Sequence, residues 1–528
     1  MYIGGEKMKV RFRYRSRGHT VERTVCNIPL RYVLALTLTI VGIAAVIGIV
    51  VALCIWVPYF YALAWITEIV CVIRIIASDD NPDYKVPWLL FVLILPVAGF
   101  MLYFMFYSRK LKPRFVRRLA ALRDSAYRKD DSELMAQLKA TDKVAYAHAK
   151  LLTDIADAHV FTNTKQQYFP LGEAMHRQLL ADLRRAERFI YVESFIIEEG
   201  AFWNSVLEIL KQKAADGVDV KVLYDDMGCM MTLPGNYYRT LRAFGIEAAP
   251  FSMLRGNADS EVNNRNHRKI TVIDGIVGYT GGINYADEYI NEVVRFGHWK
   301  DTAVRLEGEA VWELTKLFLV DFGINVRRMP TVGQEQFPAR SDITERGYLI
   351  PFGDGPRPIY DRRVGKSVIQ NLVASATEYV YMTTPYLIID NDLCQDIENA
   401  ALRGVTIKII TPHVPDKKIV FGMTRSYYPR LMAAGVEIYE YEPGFIHAKS
   451  YLADDRYGMI GTINLDYRSL VHHFENGVWM YDCACLADLK ADMEATLARC
   501  IRVTPQMLTT NLFRRFFRAV VRIFAPML

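Results

Sequence analysis

The chain has 528 residues, 52% of them apolar and 23% charged, with a formal net charge of +6 at neutral pH. That length exceeds what one hydrophobic core serves, which excludes a one-core domain and calls for two or more units. The apolar share is high for a soluble protein while the charged share is ordinary, so the excess hydrophobicity belongs to a localised membrane-embedded piece; the mild positive charge suits nucleic acid and anionic lipid equally.

In chain order, residues 1–32 form a basic tail carrying Lys7, Lys9, Arg11, Arg13, Arg15, Arg17 and Arg23. Three apolar stretches follow at 33–54, 59–76 and 86–107, each near the ~20 residues that cross a bilayer. Basic residues return at Arg109, Lys110, Lys112, Arg114, Arg117 and Arg118. Positive charge on both outer flanks places both in the cytoplasm and requires an even number of crossings. The middle stretch is the shortest and carries Glu68, so two or three spans fit, the even count favouring two. The basic start leads into more apolar sequence than a cleavable signal needs, and the segment is expected to remain as a multi-pass anchor. The eight cysteines show no CxxC spacing and read as reduced residues.

Residues 108–160 form a charged, helix-prone connector. From there the text runs twice through the same series. The first pass, 161–340, has a β-rich run at 188–197, a helical run to Lys213, and strands opening at Gly217 and Gly245. The second, 341–508, has a β-rich run at 378–389, a helical run to Arg403, and strands opening at Gly404 and Gly435. Strands alternating with helices predict an α/β fold with largely parallel pairing in each half.

Each pass ends in the same constellation. The first is His267-Arg-Lys269 leading through an apolar run to Asp274 and on to Asn284; the second is His447-Ala-Lys449 leading to Asp454 and on to Asn464. Histidine to asparagine spans 17 positions in both. One HxK is a weak signal, but two extended matches in register are strong. On an extended chain residues two apart face the same way, so His and Lys of each pair point to one site. Two histidines and two lysines converging there suit a phosphodiester. One histidine attacks phosphorus, the other gives a proton to the departing alkoxide, and lysines and asparagine amides hold the non-bridging oxygens. This chemistry requires no metal and no cofactor. An aspartate partner would fix the tautomer and orientation of each histidine, which sequence cannot pair up. His472 and His473 beside Glu475 are a tempting metal pair, but adjacent extended residues face opposite ways and no further ligand set accompanies them.

The last stretch, 509–528, reads as an amphipathic helix. Leu512, Phe513, Phe516, Phe517, Val520, Val521, Ile523 and Phe524 fall on one half of its wheel and Arg514, Arg515, Arg518 and Arg522 on the other. Such a helix suits an anionic lipid interface or the protein's own surface.

The paired HxKxxxxD motifs resemble those of the phospholipase D superfamily. The wider text is similar to bacterial cardiolipin synthases at Asn266–Gly275, Tyr279–Asn284, Thr384–Tyr386, Gly444–Ser450, Gly461–Ser469 and Phe474–Gly477, and in the apolar segment ending Leu95–Tyr103. The resemblance implies two similar α/β halves about a pseudo-two-fold axis, preceded by a transmembrane helical segment. It implies a phosphatidyltransferase that moves the phosphatidyl group of one phosphatidylglycerol to a second through a phosphohistidine, giving cardiolipin and glycerol. The catalytic set it points to is His267, Lys269, Asp274, His447, Lys449 and Asp454, with His267 as nucleophile and His447 as acid and base. Asn284, Asn464 and Glu475 are expected to bind substrate. Hydrolysis to phosphatidic acid is the nearest alternative. Phosphodiester cleavage in nucleic acid is the more distant one, since no basic groove interleaved with stacking aromatics is evident.

Overall fold

The computed structural model describes residues 7–16, 19–78, 80–95, 97–104, 113–252, 263–326, 330–337, 343–509 and 520–525. Its body is two mixed sheets with the same strand order. The first runs Thr164–Phe169, Ala303–Gly308, Val277–Gly281, Ile270–Ile273, Phe189–Ser194, Asp219–Asp225, Glu247–Phe251. The second runs Tyr348–Asp354, Glu475–Tyr481, Tyr457–Gly461, Ser450–Ala453, Tyr379–Thr383, Thr406–Pro412, Glu437–Tyr441, and adds Cys500–Arg502 at its edge.

The largely parallel pairing expected from the alternation of strands and helices holds for only part of each sheet. Strands are parallel where a helix such as Ala201–Ala215 or Asn391–Leu402 carries the chain across, and antiparallel elsewhere. A short turn cannot return the chain in a parallel direction, and each half has such a turn directly after its motif strand. In the first, Ile276 N–H closes on Ile273 O at 3.0 Å around Asp274 (φ 55°) and Gly275 (φ 70°). In the second, Arg456 N–H closes on Ala453 O at 3.1 Å around Asp454 (φ 52°) and Asp455 (φ 58°). Two left-handed residues in a row favour Gly, Asp and Asn, which explains the residue types at the turn.

One core joins the halves. Leu306, Trp312 and Phe318 from the first share a buried cluster with Leu349, Leu452 and Val478 from the second. The helix Val311–Asn325 runs through this joint with Glu313, Thr315, Lys316 and Asp321 buried. Those residues are paired: Glu313 accepts from Lys316 at 2.7 Å and from His159 at 2.6 Å, and Asp321 from Arg268 at 2.7 Å. Removing one partner would strand a buried charge, a cost of about 3–5 kcal/mol.

The connector is helical as expected, at Pro113–Asp124, Ser132–Thr141 and Lys143–Ala156; Asp142 caps the last by accepting from Val144 N–H at 2.8 Å and Ala145 N–H at 2.9 Å. Leu138, Ala145, Ala149 and Leu152 pack into the core of the second half. Ahead of it stand a hairpin of Lys7–Ser16 with His19–Pro29, within the expected basic tail, and the helices Leu30–Trp56, Pro58–Ala77, Pro82–Ile94 and Ala98–Leu102. Many apolar side chains here face outward, among them Ile49, Ile55, Trp56, Leu63, Ile66 and Ile73. Among the described residues no helix is long and apolar enough to cross a membrane, so the expected crossings rest on the sequence. The first turn of Pro82–Ile94 docks on the second half, where Asp83 accepts from Asn391 N–H at 2.8 Å and from the Tyr467 hydroxyl at 3.1 Å. Most of the predicted C-terminal amphipathic helix, 510–519 and 526–528, lies outside the described residues; within 520–525, Ala525 is buried and Phe524 meets Phe91 with ring centroids 5.4 Å apart.

Candidate active site

The two HxK segments lie in extended chain immediately ahead of the strands Ile270–Ile273 and Ser450–Ala453. In each the lysine folds back onto its own histidine: Lys269 Nζ donates to His267 O at 2.7 Å, and Lys449 Nζ donates to His447 O. The residue between points the other way. Arg268 is buried and donates to Asp321 Oδ2 at 2.7 Å and to Glu475 O at 2.9 Å. Neighbouring residues are pinned as tightly, with Arg265 Nη2 on Asp225 Oδ1 at 2.8 Å and Asn266 N–H on Asp225 Oδ2 at 3.0 Å. A segment so held presents its outward side chains with little freedom, as a preorganised site requires.

The halves are stitched together at these segments by reciprocal bonds. His267 N–H donates to Phe474 O at 2.9 Å, and His447 N–H donates to Lys300 O at 2.7 Å. The next residue on each opposing strand supplies a carboxylate to the imidazole. His267 Nδ1 lies 3.0 Å from both oxygens of Glu475, and His447 Nδ1 lies 2.6 Å from Asp301 Oδ2. Each histidine is therefore oriented by a carboxylate from the other half. Asp301 and Glu475 are counterparts in the repeat, since Gly282 N–H bonds Thr302 O at 3.0 Å just as Thr462 N–H bonds Asn476 O at 2.9 Å.

The electrostatics of the two pairs differ. Burial pushes His267 down to about 3, against the pull of Glu475. Burial also pushes the Glu475 carboxyl up, yet His267, by charge and hydrogen bond, together with His473, holds it well below the usual range. The pair is a carboxylate and a neutral imidazole whose proton sits on Nδ1, leaving the Nε2 lone pair free. Hydroxyls of Ser469, at 2.5 Å, and Thr462 also donate to Glu475. On the other side burial lifts Asp301 to about 7 against the pull of Lys449, while burial and the two lysine charges push His447 well below its ordinary value. The imidazole of that pair is neutral and stands beside a carboxyl raised toward neutrality. Burial lowers Lys269 to about 7 and Lys449 to about 8, with Glu475 and Asp301 acting against it; each of these groups feels charges from both halves, so they form one centre.

Asp274 and Asp454, expected among the catalytic set, are not brought to this centre. They sit past the far ends of the motif strands, on the order of 15 Å along the chain from the lysines. Asp274 accepts from the backbone N–H groups of Glu187 (2.8 Å), Arg188 (2.7 Å) and Phe189 (2.8 Å). Asp454 does the same for Thr377 (2.7 Å), Glu378 (3.0 Å) and Tyr379 (2.8 Å). Both tie the start of the neighbouring central strand to the turn. Asn284 is engaged within the first half, its Oδ1 accepting from Ile196 N–H at 3.0 Å and its Nδ2 donating to the Tyr289 hydroxyl at 2.6 Å. Tyr289 in turn packs edge-on against His447, with centroids 5.5 Å apart. Asn464 is buried, and its Oδ1 has no hydrogen-bond partner among the described residues. Glu475, expected to bind substrate, lies behind His267 instead. Asp301 was not singled out from the sequence, although Asp301-Thr-Ala-Val-Arg-Leu306 and Glu475-Asn-Gly-Val-Trp-Met480 carry the signal, an acidic residue opening the β-run after each motif asparagine. His267, His473 and Glu475 bring potential metal-ligand atoms within 4.8 Å of one another, and the lysine charges acting on the same centre oppose a cation there.

The family described as cardiolipin synthase, PLD-like domain, matches residues 179–296 and 369–497, and the phospholipase D-nuclease N-terminal family matches residues 69–106. An uncharacterized protein of Streptococcus mutans is 41% identical over 87% of this chain and 99% of its own length. A cardiolipin synthase of Halalkalibacterium halodurans is 30% identical over 89% of this chain and 94% of its own, and cardiolipin synthase 2 of Bacillus anthracis is 32% identical over 87% and 89%. The crystal structure of phosphatidylserine synthase from Haemophilus influenzae superposes with a TM-score of 0.55 at 15% identity, covering 73% of this chain and 99% of that one, which shows a shared fold. The chain belongs to the cardiolipin synthase family, phosphatidyltransferases of the phospholipase D type.

Proposed function

We propose that the protein makes cardiolipin from two molecules of phosphatidylglycerol through a phosphohistidine on His267. The observation that carries this reading is the crossed pairing of His267 with ionised Glu475 and of His447 with Asp301, one side poised for attack and the other for proton transfer. His267 Nε2 attacks the phosphorus of the first phosphatidylglycerol, forming a P–N bond as the P–O bond to the headgroup glycerol breaks. The His447–Asp301 pair gives its proton to the leaving alkoxide, and glycerol departs. A headgroup hydroxyl of the second phosphatidylglycerol then loses its proton to His447 and attacks phosphorus. The P–N bond breaks, His267 is restored and cardiolipin leaves. Lys269 and Lys449 hold the non-bridging oxygens, and binding the anion restores the charge that burial suppresses. Asn464, with its free Oδ1, is assigned to the headgroup, and Asn284 to supporting Tyr289 beside His447.

The halves, taken as 161–340 and 341–508, act as one unit about an approximate two-fold axis. The outward apolar side chains of the N-terminal helices support membrane association of the body, with two spans and the catalytic halves on the cytoplasmic face as the topology. Purified enzyme given liposomes with phosphatidylglycerol as the sole phospholipid tests the reaction. Cardiolipin and equimolar glycerol, lost in His267→Ala, are expected; phosphatidic acid alone would make the protein a hydrolase.

A further inference from the structure

The pseudo-symmetry that matches Asp301 to Glu475 also matches the residues two positions earlier, Trp299 and His473. Each rests against the histidine its strand serves: Trp299 lies 5.5 Å from His447 and His473 lies 5.5 Å from His267, ring centroid to centroid. Their surroundings are unlike. Trp299 is embedded among aromatic rings, with Tyr289 at 4.7 Å and Phe445 at 4.9 Å. His473 has Phe195 at 6.4 Å on one side and the Glu475 carboxylate on the other, where its Nδ1 stands 3.7 Å from Oε1, beyond hydrogen-bond reach.

His473 is also costly where it stands. Its side chain is 11% exposed, and both ring nitrogens are buried with no hydrogen-bond partner among the described residues. A buried imidazole has one donor and one acceptor to satisfy, and leaving them unmet is unfavourable. Glu475, which already receives His267, Ser469 and Thr462, faces only Nδ1 of the two ring nitrogens and does so at 3.7 Å, so Nε2 is left unmet among the described residues. An unsatisfied polar ring beside the attacking nitrogen is what a site looks like when its partner is substrate.

We propose that His473 is a substrate-contacting residue whose imidazole hydrogen-bonds an oxygen of the phosphoryl group presented to His267. The inference rests on the phosphodiester chemistry assigned to this centre and adds a contact from a ring that can accept as well as donate, which its counterpart Trp299 cannot. It gives the His267 side a ring able to donate or accept, where the His447 side has an indole whose Nε1, also without a partner among the described residues, can only donate. The two halves thus grip the phosphoryl group unequally despite matching His–Lys pairs.

The test compares His473→Asn, which keeps a side-chain donor and acceptor, with His473→Phe, which keeps a ring and loses both nitrogens. Phosphatidylglycerol labelled in the phosphatidyl group is mixed with enzyme in liposomes, and the rates of enzyme labelling and of cardiolipin formation are read separately. A substrate contact predicts that His473→Phe slows labelling about 10²–10³-fold, the range for losing one donor to developing charge. His473→Asn should stay within about tenfold of wild type. Equal loss in both variants would reduce His473 to packing against His267, and no loss in either would remove it from the site; both outcomes overturn the proposal. Should His473→Phe not fold, His473→Ala is assayed with and without added imidazole, where recovery supports the contact and no recovery overturns it. Failure of the wild-type protein to form either labelled enzyme or cardiolipin would instead count against the assigned reaction.

Discussion

The His267 and His447 neighbourhoods have the same backbone bonds and the same fold-back lysine, yet their carboxylates are in opposite electrostatic states. Glu475 receives an imidazole and two hydroxyls and is held well below the usual carboxylate range; Asp301, equally buried, rises to about 7. A duplicated scaffold can thus divide the labour of a two-step reaction without changing its histidines. On the proposed mechanism, the surroundings of each carboxylate set whether its histidine attacks phosphorus or carries the proton.

Deleting the histidines breaks the comparison most severely. His267→Ala is expected to lower kcat on the order of 10⁶-fold, as loss of a covalent nucleophile does. His447→Ala should be nearly as inactive in turnover, yet still form labelled enzyme slowly, because a missing acid delays departure of glycerol without removing the attacking nitrogen. Rapid-quench labelling with phosphatidylglycerol distinguishes the two.

Exchanging the carboxylates sharpens it. Glu475→Gln should cost about 10³–10⁴-fold in kcat by upsetting the His267 tautomer, as amide replacement of an orienting aspartate does in a serine-protease triad. Asp301→Asn should cost about 10²-fold, the lower end for general acid–base assistance. Equal losses would mean the carboxylates play one role.

The pH dependence follows from the same groups. With Asp301 raised to about 7, the His447–Asp301 pair keeps the proton it gives to the leaving alkoxide only below that pH, and with Lys269 lowered to about 7 and Lys449 to about 8 the ammonium groups are lost in the same range, so kcat/KM falls as the pH rises through 7 and 8. A descending alkaline limb beginning near 7 is expected, and Asp301→Asn should remove the part of it that the pair's proton contributes while leaving the lysine part. A profile level from 6 to 9 would contradict these shifts.

The smallest effect on catalysis is predicted at the far ends of the motif strands. Asp274→Ala removes the acceptor of three backbone N–H bonds and should destabilise the fold by about 2–4 kcal/mol in denaturant titrations. The surviving folded enzyme should keep kcat within about threefold, whereas a catalytic Asp274 would lose kcat at unchanged stability.

What the sequence could reveal follows from how local each interaction is. Alternation along an extended chain put His267 with Lys269 and His447 with Lys449, and the doubled register announced two like halves. The partners of the histidines come from strands more than 140 residues away in the opposite half, so spacing could not pair them. Asp274 and Asp454 drew attention by recurrence, but the repeated feature is a left-handed turn that ties two strands. Pairing direction is hidden for a similar reason, since the alternation of helices and strands does not show which connections are short turns. Tyr84, whose hydroxyl lies 2.9 Å from His472 Nε2, shows that the apolar N-terminal segment is part of the second half's surface as well as a candidate anchor.

The most direct test is to quench wild-type enzyme during turnover of labelled phosphatidylglycerol at alkaline pH, where phosphoramidates survive, and locate the label by peptide mass spectrometry. The label is predicted on the peptide carrying His267, and to persist there in His447→Ala. Label on His447 would reverse the assignment of attack and proton transfer, and with it the link between the ionised Glu475 and the nucleophile.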